Sequence, residues 1–149
     1  MPAGDLVTVD WTVELRATLM GATTIYRLAM GGAAIGGLGV PGVKATDLDL
    51  TDQAGAYGGR DRNGVRVVTV PLVIRTASAS SAMVGVSAMN ATWAPSTSDI
   101  PLYFRLPGFN KFYVNGRPRG LDVDLKDMQF GIVRCLGTFV ALTPTITYV

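Results

Sequence analysis

The chain contains no histidine and a single cysteine, Cys135. Those two scarcities exclude an intramolecular disulfide, a Cys/His zinc site and any Ser-His-Asp or Cys-His catalytic unit. Charge is sparse as well: 16% of residues are charged, and 13 Lys+Arg against 11 Asp+Glu leave a net charge of +2. That is too weak to steer the whole molecule onto nucleic acid or an anionic membrane. Without histidine, no side chain has an unperturbed pKa between about 5 and 8, which excludes an ordinary pH switch at endosomal values. No acidic, basic or Gln/Asn tract and no internal repeat stands out. Two uncharged stretches are poor membrane spans, because Leu28–Val43 is short and glycine-rich and Thr76–Ser98 is rich in Ser and Thr. The start of the chain, with Asp5, Asp10 and Glu14, lacks a basic segment followed by an apolar one, so synthesis in a cytoplasm without a signal peptide is expected.

What remains is 149 residues that are 48% hydrophobic and punctuated by 18 Gly and 8 Pro. Such a length suits one domain over 1–149, with enough apolar material for a core. Cys135, inside an apolar run, reads as a small buried hydrophobe.

Alternation dominates the pattern. From Asp5 to Leu19 the spacing predicts one long half-buried strand, with Trp11, Val13, Leu15, Ala17 and Leu19 on one face. Ile25–Met30 reads as its hairpin partner, and the glycine-rich 31–42 as loop. Lys44–Leu50 alternates again. The turn formers of Thr51–Gly64 predict a long exposed loop. Val65–Arg75 is the strongest strand, almost without a polar face, and Pro71 marks an edge or bulge in it. Ser78–Trp93 is the helix candidate, because Ala82, Val86, Met89 and Trp93 recur at helical spacing, with Ser80 or Ser81 as cap. Pro101–Pro107, Lys111–Arg117, Gly120–Leu125 and Gln129–Leu142 complete the strands, separated by turn chemistry at Pro107-Gly108, Asn115-Gly116, Pro118 and Lys126-Asp127. The fold expected is mainly β, a β-sandwich or open barrel carrying one packed α-helix.

Three constellations invite a chemical reading. Gly37-Leu38-Gly39-Val40-Pro41-Gly42 matches a dinucleotide fingerprint in letters, but a strand-like segment follows where a helix should open, so it reads as loop. Asp47, Asp49 and Asp52, and Asp122, Asp124 and Asp127, resemble calcium or acid–base sets; two-residue spacing on strands makes them solvated faces instead. Arg60, Arg62, Arg66, Arg117 and Arg119, with Phe109, Phe112 and Tyr113 nearby, could touch nucleic acid. Asp61 and the low net charge favour ion pairs between subunits or solvated loops instead.

The order of these features is more specific than any one of them. A Trp-containing strand is followed by Tyr26-Arg27-Leu28, Gly55-Ala-Tyr-Gly-Gly-Arg-Asp61, Arg66-Val-Val-Thr-Val-Pro-Leu-Val-Ile74 and a short helix. Ile100-Pro-Leu-Tyr-Phe-Arg-Leu-Pro-Gly108, Val114-Asn-Gly-Arg-Pro-Arg119 and Phe139-Val-Ala-Leu-Thr-Pro144 complete the series. Over nearly its whole length the chain resembles the N-terminal domain of the distal tail protein of siphophage-type tails, in the form common in phages of actinobacteria.

That resemblance implies a β-sandwich with one helix, assembled as a hexameric ring with a lumen for the genome. It implies a place in the virion tail tip, where the ring joins the tail tube protein to the tail-tip hub and other minor tail proteins. DNA would touch it only transiently and without sequence preference. Family members that bind the host often carry a second, carbohydrate-binding-like domain, whereas this chain stops at Val149. Many also end the last strand on Asp-Pro, where Thr143-Pro144 stands here. A purely structural ring is the expectation, with no enzyme activity, no cofactor and no membrane insertion. Arg60, Asp61, Arg62, Arg66, Arg117 and Arg119 are its candidate subunit interface, and Trp11, Val68, Val70, Leu72 and Trp93 its core. Alternatives are a major tail tube or tail-completion protein, and a carbohydrate-binding module that stacks Trp93, Tyr103 or Tyr57 on a sugar.

Overall fold

The computed structural model describes residues 2–21, 25–28, 35–39, 43–44, 48–49, 56–57, 62–108, 110–143 and 145–149, with the backbone alone at 43–44, 48–49, 56–57 and 62–63. Among them run β1 (Thr12–Leu15), β2 (Thr18–Met20), β3 (Tyr26–Leu28), β4 (Val43–Lys44), β5 (Leu48–Asp49), β6 (Ala56–Tyr57), β7 (Arg62–Asn63), β8 (Arg66–Arg75), α1 (Ala79–Thr92), β9 (Ile100–Arg105), β10 (Phe112–Asp124), β11 (Ile132–Ala141) and β12 (Ile146–Tyr148).

β8 and β11 form the backbone of the fold, antiparallel in unbroken register from Ile132↔Arg75 to Ala141↔Arg66. Strict alternation sends Val68, Val70, Leu72 and Ile74 inward from β8, and Val133, Cys135, Phe139 and Ala141 inward from β11. β3 pairs with β8 only from Ile74 to Leu72. The ladder therefore stops one residue from Pro71, whose missing N–H suits a position beyond a short partner strand.

β10 joins two layers. Its first half pairs with β9 and β12, and its second half with β11. The register slips between Pro118 and Gly120. One extra residue, Arg119, reverses which side chains point in: Phe112, Val114 and Pro118 before the bulge, Leu121 and Val123 after it. Asn115-Gly116 and Pro118, expected as turns between two strands, lie within this single strand. Glycine is needed at 116 because a Cβ there would run into the Val140 carbonyl.

The main sheet has the order β2-β1-β9-β10-β11-β8-β3 and curls until its ends meet at Gly21, whose N–H donates to the Tyr26 carbonyl at 3.0 Å. It is a nearly closed, barrel-like sheet, and α1 packs into it. Gly85 sits against Ile74, and the indole of Trp93 lies over Gly137. Ser78 caps the helix through its hydroxyl, which accepts from the Ser81 N–H, three residues earlier in the chain than expected for a Ser81 cap. No described helix is long and apolar enough to cross a membrane.

The predicted strand from Asp5 to Leu19 is divided. Arg16 and Ala17, at φ 50° and 57°, turn the chain back so that β1 and β2 form a hairpin, and β3 pairs with β8 rather than with this hairpin. Two left-handed residues without glycine cost about 1–2 kcal/mol each. The conformation is held by Arg16, whose Nη1 donates to the carbonyls of Ala91 and Thr92, both at 3.2 Å, and Nη2 to that of Pro95 at 3.4 Å. These are carbonyls at the C-terminal end of α1, where a cation is favoured.

Within the predicted loop 51–64, and ahead of it, β4 pairs with β7 and β5 with β6, each over two residues. The rest of that loop, and most of 31–42, lie outside the described residues.

Packing of Trp93 on Gly137 generates a prediction. A methyl at 137 would lie 2.5–2.7 Å from the indole. Gly137→Ala is expected to destabilise by about 1–3 kcal/mol, read from the urea midpoint. Gly120→Ala, with nothing within 4 Å of the new methyl, is expected to leave the midpoint within about 0.5 kcal/mol of the parent.

Candidate functional site

Arginines expected at a subunit interface have diverse fates. Arg66 is 6% exposed, and its Nη1 donates to the carbonyls of Gly37 at 2.7 Å and Gly39 at 2.6 Å. It holds residues 37–39 of the glycine-rich segment against β8 within the same chain. The strand puts it there: Arg66 occupies an inward position of the β8 alternation, and the segment's free carbonyls neutralise the cost of burying a guanidinium. Arg117 is half-buried and pairs with Asp99 at 2.9 Å. Arg119 projects from the β10 bulge into solvent, with no ion pair among the described residues. Arg60 and Asp61 lie outside the described residues, as do Asp47, Asp52 and Phe109; for Arg62 and Tyr57 only the backbone is described.

Of the expected core, Val68, Val70, Leu72 and Trp93 are buried. Trp11 is not: it is 40% exposed at φ 61°. The positive φ bends the chain just ahead of β1, so the indole leaves the strand face that alternation assigned to it. β1 is then buried on both faces. Its Glu14 carboxylate accepts from the N–H groups of Gly4 at 2.9 Å and Leu6 at 3.1 Å, which folds residues 2–7 over the outer side of β1 and β9. Gly4 lies against the ring of Tyr103, where a Cβ would approach to 2.7 Å. Burial first, then the neighbouring Tyr113, Glu14 and Asp5, pushes the Tyr103 hydroxyl above its ordinary pKa.

Two other surfaces were hidden from residue-by-residue reading. Outward alternation from β8 and β11 brings Pro71, Val73 and Leu136 together on the side of the sheet away from the core. They floor a groove of ≈ 350 Å³, bounded by Asp122 and Asp124 of β10 and by Arg134. Arg134 pairs with Asp127. The second surface is the outer side of α1, where Val84 is 72% exposed beside Met83. No charged residue occurs anywhere in the helix.

Among the described residues, no three His, Cys, Asp or Glu side chains are grouped as a metal site. Burial pushes the Cys135 thiol up to about 11, which leaves it a poor nucleophile. Among the described residues, no nucleophile is positioned beside a base. The surfaces are suited to contact.

Comparison with solved structures bears on the frame that carries these surfaces. The chain is similar over 91% of its length to the crystal structure of the SPP1 Dit (gp 19.1) protein, with a TM-score of 0.71 at 12% sequence identity. The two share one fold. The SPP1 protein is described as a paradigm of the hub adsorption apparatus in phages that infect Gram-positive bacteria. A chain of the phage P2 baseplate, in its activated conformation with Ca, is similar over 85% of this chain, with a TM-score of 0.58 and 12% identity. This chain spans about half of the SPP1 protein, 51%, and 40% of the baseplate chain. No protein-family model and no curated protein sequence matches it.

The two tryptophans should separate in solution. Acrylamide is expected to quench one emission component strongly and the other weakly, and Trp11→Phe to remove the accessible one. Equal quenching of both in the folded protein would contradict the placement of Trp93. The thiol offers a second check: a pKa of about 11 against an ordinary 9.0 predicts labelling by a disulfide reagent at pH 8 about 100-fold slower than for a free cysteine. Labelling should accelerate to the ordinary rate once the protein is unfolded in urea.

Proposed function

We propose that the chain is a non-enzymatic structural protein of a phage tail, a subunit of the distal-tail ring between the tail tube and the tail-tip hub. The observation that carries this reading is the fold shared with the SPP1 Dit protein over 91% of the chain. In this role the subunit acts by shape. Six copies surround a lumen, one side meets the tail tube protein and the other meets the hub and minor tail proteins, and DNA passes without sequence-specific contact.

Chemistry on the surface supports a contact role. Arg119 stands at the β10 bulge, exposed and without an ion pair among the described residues, available to a neighbouring acid, whereas Arg117 nearby is already paired with Asp99. Arg60, Asp61 and Arg62 are assigned to the boundary between copies by the same reading. Arg66 is assigned to the subunit interior, where it holds Gly37 and Gly39. A carbohydrate-binding role is less well supported, since Trp93 is 1% exposed and Tyr103 lies under Gly4. Stacking on a sugar needs an open ring face.

The test is the mass of the purified protein across concentration by light scattering, followed by negative-stain imaging, alone and with tail tubes. Six-membered rings with an open centre are expected, free or seated on tube ends. A protein that stays monomeric at every concentration and leaves tube ends bare would overturn the proposal.

A further inference from the structure

We propose that neighbouring copies join head to tail, with the uncharged outer ridge of α1 from one copy seated in the apolar groove over β8 and β11 of the next. This deepens the tail-ring reading and rests on it, since it names the contact by which such a ring would form.

The first support is the composition of the helix. Between Thr76 and Ser98 the sequence has no Asp, Glu, Lys or Arg. A helix on the surface of a soluble domain normally turns charged residues to water. Here the outward side instead presents Val84 and Met83, with Ser87, Ala88, Asn90 and Ala91 also exposed. Its polar groups are neutral hydroxyls and one amide, so covering it strips no charge of its hydration.

The second support is the groove itself. Leu136 is 40% exposed over a floor that includes Pro71 and Val73. Strands of ten residues extend about 33 Å, and a helix of fourteen residues is about 21 Å long, so the sheet face is long enough to receive the helix.

Placement decides the symmetry. α1 packs on the inner side of β8 and β11, through Gly85 on Ile74 and Trp93 on Gly137. The groove lies on their outer side. The two surfaces cannot meet within one subunit, and because they differ from each other the contact is heterologous, the kind that closes into rings.

Charge sets the direction of the helix in the groove. Its C-terminal carbonyls are already engaged by Arg16 of the same subunit. Its first turn contains no acidic residue, so the partial positive charge at that end has no carboxylate from the helix itself. The groove rim supplies Asp122 and Asp124, while the charge of Arg134 is balanced by Asp127. The N-terminal end of α1 therefore points toward Asp122 and Asp124 of the neighbour. A ridge of about 21 Å by 10 Å covers roughly 200 Å², well below the roughly 800 Å² per partner of a stable pair. Each contact is weak alone and is reinforced by ring closure.

A weak contact is best read by trapping it. Val84→Cys and Leu136→Cys would be combined in one chain and oxidised mildly, with the buried native Cys135 as a silent background. Thiols held in register should give about tenfold more linked oligomer than either single variant, as a ladder whose bonds join positions 84 and 136. Dimers linked only through like positions, or no ladder, would overturn the contact. If circular dichroism shows that the double variant fails to fold, Met83→Cys with Asp122→Cys reads the same contact. The wild-type protein separates the two readings. Rings without an 84-to-136 link remove this contact and leave the tail ring standing, whereas neither rings nor links, with tubes present, remove both.

Discussion

Between β2 and β3 the sheet is held across its last gap by the Gly21 N–H bond to the Tyr26 carbonyl, and the interior behind that gap is filled by α1. Much else in the molecule follows from this incomplete closure. The helix can approach only because Gly85 and Gly137 leave room for Ile74 and for the Trp93 indole. Its far end must be tied to the β1–β2 hairpin, which Arg16 does through three carbonyls and Thr18 through Thr92 at 3.1 Å. The strained turn at Arg16-Ala17 is the geometry that brings the guanidinium there. Helix, hairpin and sheet edge are thus one mutually dependent unit.

Scarce charge is spent inward. Arg16 and Arg66 both use their guanidinium groups on main-chain carbonyls of the same chain, and Glu14 uses its carboxylate on main-chain N–H groups. Each brackets a segment without regular partners: the end of α1, the glycine-rich stretch at 37–39 and the N-terminal residues. Such brackets suit a chain with one cysteine and so no internal disulfide. The outer helix face carries no charge, and the outer sheet face keeps its charges at the groove rim, on Asp122, Asp124 and Arg134, around an apolar floor, which makes both faces suitable for burial against other protein.

The overall class of fold was legible because alternation in β8, β9 and β11 is strong and because α1 combines helical spacing with a following Pro95. Its departures have local causes. At Arg16-Ala17 the turn carries no Gly, Asn or Pro, so nothing in the residue types marks it, and the alternation runs through it unbroken. At Asn115-Gly116 the residues spell a turn, yet glycine is there for a close approach to the Val140 carbonyl. Trp11 was misplaced because a backbone angle, which leaves no mark on hydropathy, takes it off the strand face. The contact surfaces were visible as oddities, a strand with almost no polar face and a long uncharged stretch around the helix. Placing them on opposite sides of one sheet required the register and the helix position. Arg66 illustrates the limit most directly, since a guanidinium bound to carbonyls and one bound to a neighbour's acid look alike in a sequence.

The passage of β10 through both layers has a mechanical meaning. Its thirteen residues connect the β9 side to the β11 side as one covalent run, with a single bulge as the only irregularity. A pull on one layer therefore reaches the other along main-chain bonds, and the long β10–β11 and β11–β8 ladders meet a load directed along the strands in shear, with many hydrogen bonds strained together rather than opened in turn. A chain wired in this way has far more hydrogen bonds to break along its long ladders than across the gap between β2 and β3, where the Gly21–Tyr26 bond lies.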